Sequence, residues 1–98
     1  MDDKQFNDAL TTAGTWFFLS QYRLIISLKN NTAELLDKLY EKEFDSDLSG
    51  TKARMYASIR IIDAGRAQEA LEIIRDSSRV NRQHPEARDL AEEILASL

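Results

Sequence analysis

The chain has 98 residues, contains no cysteine and carries a net charge of −4 from 13 basic and 17 acidic side chains. The lack of cysteine excludes a disulfide framework, a thiolate zinc site and a cysteine nucleophile. All of the net negative charge falls in residues 1–50, and residues 51–98 are neutral, so neither half has the basic excess that non-specific nucleic-acid binding requires.

The composition is typical of an all-α protein. One proline and three glycines occur among the 98 residues, and helix formers such as alanine, leucine, glutamate and arginine are frequent. We predict a single helical domain over residues 1–98, with about five short helices in antiparallel hairpins. Residues 1–44 are expected to form an N-terminal hairpin, and residues 51–98 a second hairpin followed by a C-terminal helix.

The first helix is predicted to begin at Asp2 or Asp3, because either carboxylate can cap it and both favour the positive end of the helix dipole. An apolar stripe at helical spacing follows, made of Phe6, Ala9, Leu10, Ala13, Trp16 and Phe17. Gly14 lies within this stripe, so the helix either continues through it or breaks near it.

Residues 16–28, WFFLSQYRLIISL, are the most apolar part of the chain, with nine apolar residues among 13. A membrane span needs about 20 apolar residues, and Arg23 lies in the middle of the segment, so we predict no membrane span. Phe18, Tyr22 and Ile26 extend the apolar surface onto a second flank. A helix that is apolar on two flanks needs two packing surfaces, from its own chain or from a partner.

A strand is the alternative structure for residues 21–29, QYRLIISLK, because apolar residues alternate there and several are β-branched or aromatic. A strand needs a pairing partner, however, and the nearest comparable run, Ile59–Ile62, lies in a helical pattern. We therefore favour a helix through residues 21–29.

The second helix is marked by Asn31 and Glu34, which have the spacing of a capping box. It is predicted to run through Leu35 and Tyr40 and to fade around Phe44. Residues 44–50, FDSDLSG, are rich in turn-forming side chains and are expected to form a polar connection.

Three further helices are predicted in the second half. The third runs from about Thr51 to Ala64, with Gly65 as the residue that follows its C-cap. The fourth runs from about Ala67 to Val80. Residues 81–84 then turn the chain, and Pro85 suits the first position of a fifth helix that reaches the last residue.

Residues 57–77, ASIRIIDAGRAQEALEIIRDS, resemble the helix pair of a tetratricopeptide (TPR) repeat. The positions that agree with the repeat are Ser58, Ile61, Gly65, Ala70, Ile74 and Ser77. Small residues at Ser58 and Ala70 let paired helices approach closely. Arg54 and Ala57 stand where larger apolar residues are usual, and Pro85 comes later than the pattern expects. The resemblance implies a TPR-like helix pair in the C-terminal half.

A narrower resemblance involves residues 69–82, EALEIIRDSSRVNR. This string is similar to a segment of the small TPR-type co-chaperones of type III secretion needle subunits. Proteins of that family hold an aggregation-prone needle subunit in the cytoplasm on a concave helical surface, together with a second small helical chaperone. The resemblance therefore implies a chaperone for a secretion subunit, although residues 1–50 have no evident counterpart in that family.

No motif in the sequence indicates catalysis, a cofactor or a metal. His84 is the only histidine, so a histidine-based metal site and a Cys–His pair are excluded. Asp45 and Asp47 lie in a segment that lacks the full spacing and the terminal glutamate of a calcium loop. Phosphate-binding glycine loops and the GxSxG and HExxH motifs are absent as well. We therefore predict that the protein is not an enzyme, with His84 as a turn residue or helix cap.

The candidate partner-binding residues are large apolar side chains from two stripes. They are Trp16, Phe18, Tyr22, Ile25 and Ile26 in the early segment, and Leu90, Ile94 and Leu98 in the last helix. Aromatic anchors concentrate binding energy at protein interfaces. The same side chains also suit an ordinary core, and the sequence leaves both interpretations open.

A possible basic ridge is formed by Arg75, Arg79 and Arg82, which follow i, i+4, i+7 spacing and would suit an acidic partner. Glu72 and Asp76 lie close enough in sequence to neutralise it, with pair energies of about 0.2–0.5 kcal/mol each. We favour the neutralised ridge.

The function that these patterns favour is that of a small adaptor or chaperone that covers an amphipathic helix of a protein partner. The acidic N-terminus, MDDKQFND, lacks the basic region of a signal peptide, so we expect a cytoplasmic protein. Association with itself or with another chain is expected, and nucleic acid is not an expected partner. Two alternatives remain, a self-associating helical regulator linked to nucleic acid and a small immunity-type or inhibitor-type protein.

Overall fold

The computed structural model describes all 98 residues and contains seven α-helices and no strand. The helices are α1 (Asp3–Ala13), α2 (Thr15–Leu28), α3 (Thr32–Tyr40), α4 (Leu48–Asp63), α5 (Ala67–Arg75), α6 (Ser78–Gln83) and α7 (Ala87–Ala96). The all-α prediction is confirmed. Residues 21–28 belong to α2, so the strand alternative is wrong, and the number of helices exceeds the predicted five.

One additional helix arises at Gly14, where the long first helix breaks into α1 and α2. Gly14 has a φ of +85°, a conformation that residues with a β-carbon rarely adopt. Its N–H donates to the carbonyl of Leu10 and closes the last turn of α1, and α2 starts at the next residue. The glycine therefore ends one helix and redirects the chain into the next.

The other additional helix arises because the predicted fourth helix ends at Arg75. Ser77 leaves the helical conformation, and its hydroxyl accepts a hydrogen bond from the N–H of Val80, which caps α6. The Nδ2 of Asn81 then donates to the carbonyls of Arg75 at 3.0 Å and Ser77 at 2.7 Å. Polar side chains thus satisfy backbone groups that the helix interior would otherwise have paired.

Two other helix starts differ from the prediction. α4 begins at Leu48 rather than Thr51, because the carboxylate of Asp47 accepts a 2.7 Å hydrogen bond from the N–H of Gly50 and caps the helix there. α7 begins at Ala87 rather than Pro85. The N–H of Ala87 donates to the carbonyl of His84, and this bond closes a turn that contains the proline.

Three predicted caps are confirmed. Asp2 caps α1 in a full capping box with Gln5. The side chain of Asn31 accepts from the N–H of Glu34 at 3.3 Å, although the reciprocal bond joins the two side chains instead of reaching the Asn31 backbone. Gly65 has a φ of +74° after α4, where Arg66 N–H bonds to the carbonyl of Ile61 in a Schellman motif.

The first four helices alternate in direction. Nη1 of Arg54 in α4 donates to the carbonyl of Ala13, the last residue of α1, and near the other end of α2 Lys29 forms a 2.7 Å ion pair with Asp63. These two contacts make α2 parallel to α4. α3 runs back beside them and brings the ring of Phe44 to 5.0 Å from the ring of Phe17.

The TPR-like pairing of α4 with α5 is not confirmed. The two helices follow each other through the turn at Gly65, but α4 packs chiefly against α1, and α5 packs chiefly against α7. Nε of Arg88 at the start of α7 donates to the carbonyl of Arg75 at the end of α5, so these two packed helices are antiparallel.

The apolar residues of α2 divide between two cores. Phe18, Leu19 and Tyr22 belong to a large core shared with α1, α4, α5, α6 and α7. Phe17 and Ile25 belong to a smaller core with α3 and α4. The two apolar flanks of the sequence therefore correspond to two packing surfaces on either side of one helix. None of the seven helices has both the length and the apolar character needed to cross a membrane.

Candidate functional site

The eight predicted partner-binding residues fall into three classes of exposure. Phe18, Tyr22, Ile25 and Ile94 are buried; Trp16 and Leu90 are half-buried; Ile26 and Leu98 are exposed. A partner reaches the exposed pair without disturbing the fold, whereas the four buried side chains serve as core in this chain.

Tyr22 illustrates the buried class. Its side chain is 6% exposed and lies 5.7 Å, between ring centroids, from Phe18. Burial raises the pKa of the Tyr22 hydroxyl above its ordinary value of 10.0, because the apolar surroundings disfavour the phenolate. This tyrosine is therefore held as a neutral packing residue.

Trp16 is engaged by the turn that precedes α7. Its ring stacks on the imidazole of His84 with the centroids 3.9 Å apart and the planes 4° from parallel. The stack joins the first turn of α2 to the segment that leads into α7. His84 is thus a turn residue whose ring also connects two parts of the chain.

A second contact between α2 and α7 lies further along both helices. The guanidinium of Arg23 is 3.5 Å from the carboxylate of Glu93. Together with the Trp16–His84 stack, this ion pair shows that α2 and α7 run parallel. Ile26 comes three residues after Arg23, and the chain reaches Leu98 five residues after Glu93, so both lie toward the same end of the helix pair.

We call this region the α2–α7 end, defined by Ile26, Leu95 and Leu98. Ile26 is 42% exposed and Leu98 is 61% exposed, while Leu95 is half-buried against the large core. The Arg23–Glu93 ion pair lies about one helical turn before Ile26 along α2. None of the three cavities in the molecule is lined by these residues, so the α2–α7 end is a surface rather than a groove.

The remaining exposed large apolar side chains are distributed over other elements. They are Met1, Tyr40, Leu48, Tyr56 and Ile73. Single exposed apolar residues are common on protein surfaces and carry no functional implication by themselves. The α2–α7 end differs because two helices contribute to it together.

The predicted basic ridge does not form along one helix. Arg75 ends α5, and its guanidinium pairs with Asp76 at 2.9 Å, which lowers the pKa of that carboxyl. Arg79 and Arg82 lie on the separate helix α6 and form no ion pair within the chain. The break at Ser77 therefore removes the regular spacing on which the ridge depended.

Arg79 instead lines a cleft between the α1–α2 junction and α6. The cleft has a volume of about 600 Å³. Its lining consists of Asn7, Leu10, Thr11, Gly14, Thr15, Ser77, Arg79, Val80 and Gln83. No sequence motif predicted this cleft, because its two walls come from segments more than sixty residues apart.

A polar cluster that the sequence did not reveal holds the α1–α2 junction. Nε of Arg54 donates to both carboxylate oxygens of Asp45 at 3.1 and 3.0 Å, and Thr51 donates to the same carboxylate at 3.2 Å. Nη1 of Arg54 donates to the carbonyl of Ala13 at 2.9 Å. All of these bonds are internal, so the cluster positions helices.

No group of three or more histidine, cysteine, aspartate or glutamate side chains has an arrangement that could hold a metal ion. Comparisons with protein-family models, with curated proteins and with solved structures give no match to this chain. The resemblances to TPR repeats and to secretion co-chaperones therefore stay predictions.

Proposed function

We propose that this chain is a non-catalytic interaction module that covers the apolar face of an amphipathic helix in a protein partner. The observation that carries the proposal is the joint exposure of Ile26 and Leu98 at the α2–α7 end. Burying apolar surface contributes a favourable free energy of roughly 25 cal/mol per Å². The same contribution per Å² applies to the leucine- or isoleucine-sized side chains that a partner would bury against this surface.

The shape of this surface indicates how the partner would bind. Because the α2–α7 end is not a groove, a partner helix would pack across the two parallel helices as a third helix. Amphipathic helices present apolar anchors at i, i+3 or i+4 and i+7. Those anchors would lie over Ile26 and Leu98, and the Arg23–Glu93 pair would form part of the polar rim that surrounds interface cores.

The similarity of residues 69–82 to secretion co-chaperones favours a particular class of partner. A cytoplasmic chaperone of that kind keeps an aggregation-prone helical subunit, such as a type III secretion needle subunit, from self-association. Part of the similar string has a structural role here, since Ser77 and Asn81 form the turn between α5 and α6. The partner class is thus drawn from the resemblance, and the binding surface from the geometry.

The test is affinity capture from cells that express the chain naturally, with quantitative mass spectrometry. Ile26→Asp and Leu98→Asp should each reduce recovery of the partner about tenfold or more, because each places a charge in an apolar contact. Leu48→Asp is the matched control. Leu48 is 47% exposed and begins α4, and Ile26 lies near the other end of the parallel helices α2 and α4.

Circular dichroism should show the same helicity for all three variants, because each substituted side chain is exposed. Equal partner recovery with Ile26→Asp and Leu48→Asp would overturn the proposal. Light scattering after gel filtration measures whether the purified chain is a dimer. If it is, and if Ile26→Asp dissociates that dimer, the α2–α7 end is a self-association surface instead.

A further inference from the structure

The cleft between the α1–α2 junction and α6 has polar walls and an apolar floor. Leu10 and Val80 are buried beneath it. Five polar side chains that line it form no hydrogen bond within the chain: Asn7, Thr11, Thr15, Arg79 and Gln83. Small-molecule pockets are lined mainly by apolar side chains. Hydroxyls, amides and a guanidinium instead match the alternating donors and acceptors of a peptide main chain.

The charge in the cleft comes from Arg79 alone. Arg79 forms no ion pair within the chain, a property it shares with Arg60, Arg82 and Arg88, and it is the only arginine of these four that lines the cleft. A guanidinium presents paired N–H donors that match a carboxylate in a bidentate arrangement. Phosphate groups carry nearly two charges and recruit arginine clusters, so one arginine with no lysine beside it favours a carboxylate.

The start of α2, next to the cleft, also has backbone donors without partners. α2 begins at Thr15 with no side-chain cap, so N–H groups of its first turn have no partner in the chain. Thr15 also lines the cleft. These N–H groups can donate further hydrogen bonds to a bound segment, while Arg79 provides the positive charge that favours a carboxylate.

We propose that this cleft binds an acidic peptide segment of a partner protein. One carboxylate of the segment pairs with Arg79, and its main chain bonds to Thr11, Thr15 and Gln83. The site is separate from the α2–α7 end, because Thr15 and Ile26 are separated by eleven residues of helix, about 16 Å at 1.5 Å per residue. Loss of peptide binding in the cleft and loss of partner binding at the α2–α7 end can therefore be measured separately.

The experiment uses the full chain labelled with ¹⁵N and follows its amide signals by NMR. The probe is a short peptide, blocked at both ends, with a single aspartate among glycines and serines. The reference probe has asparagine in place of that aspartate. The aspartate peptide should shift amides in residues 11–15 and 77–83 in a saturable way, while the asparagine peptide should bind about tenfold more weakly or not at all.

Arg79→Gln should weaken binding of the aspartate peptide at least about tenfold, since it removes the charge-assisted bonds. Arg82→Gln is the matched control, because Arg82 lies on the same short helix, is also exposed and does not line the cleft. It should change the affinity less than about twofold. Both side chains lack internal partners, so both variants should keep the native spectrum.

Three results would overturn the proposal. The first is the absence of shifts at peptide concentrations up to about 10 mM, which excludes even weak affinity. The second is a failure of either matched comparison, that is, equal binding by the aspartate and asparagine peptides or equal losses with the two arginine variants. The third is inorganic phosphate that shifts the same amides at lower concentration than the peptide does, which would assign the cleft to phosphate.

Discussion

The guanidinium of Arg54 donates a 2.9 Å hydrogen bond to the carbonyl of Ala13, forty-one residues earlier in the chain. Ala13 is the last residue of α1, so this bond satisfies a carbonyl that the helix end leaves free. The same guanidinium pairs with Asp45 in the connection between α3 and α4. One side chain thus joins the α1–α2 junction, a loop and α4.

Replacing this side chain tests its structural role. Arg54→Gln should lower the free energy of unfolding by about 1.5–3 kcal/mol, because it removes charge-assisted bonds and leaves the partly buried Asp45 carboxylate without its cation. Urea unfolding monitored by circular dichroism measures the loss. Lys52→Gln is the control, since Lys52 is exposed and forms no ion pair. A loss below about 0.5 kcal/mol for Arg54→Gln would contradict this role.

Gly14 should be more sensitive to substitution than Gly65, although both have positive φ. A β-carbon on Gly14 would lie 2.6 Å from Nη1 of Arg54, whereas a β-carbon on Gly65 would meet no atom within 4 Å. Gly65→Ala should cost about 1–2 kcal/mol from backbone conformation alone. Gly14→Ala should cost more, because the arginine must also move. Thermal unfolding of the two variants compares them, and equal losses would show that the contact with Arg54 is readily relieved.

The division of α2 into buried and exposed side chains predicts different losses of stability when two of its large apolar residues, Phe18 and Ile26, are replaced. Phe18 is completely buried in the large core, so Phe18→Ala should reduce stability by about 3–5 kcal/mol. Ile26→Ala should change it by no more than about 0.5 kcal/mol. Denaturant unfolding measures both, and comparable losses at the two sites would show that Ile26 is covered in solution.

Tyr22 should make stability fall at high pH. Its pKa is raised in the folded state by burial, so the unfolded chain releases the phenol proton first, near its ordinary pKa of 10.0. The contribution of Tyr22 to the free energy of unfolding is therefore fully present below pH 10. It decreases as the pH rises above that value, because the unfolded state then binds fewer protons than the folded state.

The measurement is thermal unfolding of the wild-type chain and of Tyr22→Phe between pH 8 and 11. The hydroxyl of Tyr22 makes no hydrogen bond within the chain, so the phenylalanine variant should fold normally. The melting temperature of the wild type should fall further than that of the variant above pH 10. Parallel curves would show that Tyr22 ionises equally in both states.

Local patterns were sufficient for much of the helical structure. Asp2, Asn31 and Gly65 mark helix ends through bonds to residues only three to five positions away, so their roles follow from short stretches of sequence. The two apolar flanks of residues 16–28 likewise indicate a helix with two packing surfaces. The sequence carries no clear signal for the break at Ser77, because the segment contains neither glycine nor proline and because Asn81 stabilises the break from the next helix.

The composition and periodicity of the chain determined by themselves that it is helical, where several of its helices begin or end, and that the segment from Trp16 to Leu28 is apolar on two flanks. Only the tertiary structure decided which apolar residues remain exposed, because burial depends on neighbours that are distant in sequence. It placed Phe18 and Ile25 in the interior, left Ile26 and Leu98 at a common end, and brought Arg79 to the α1–α2 junction. Ile26 and Leu98 share one end because α2 and α7 run parallel, and that direction depends on contacts across about seventy residues of chain, such as the stack of Trp16 on His84.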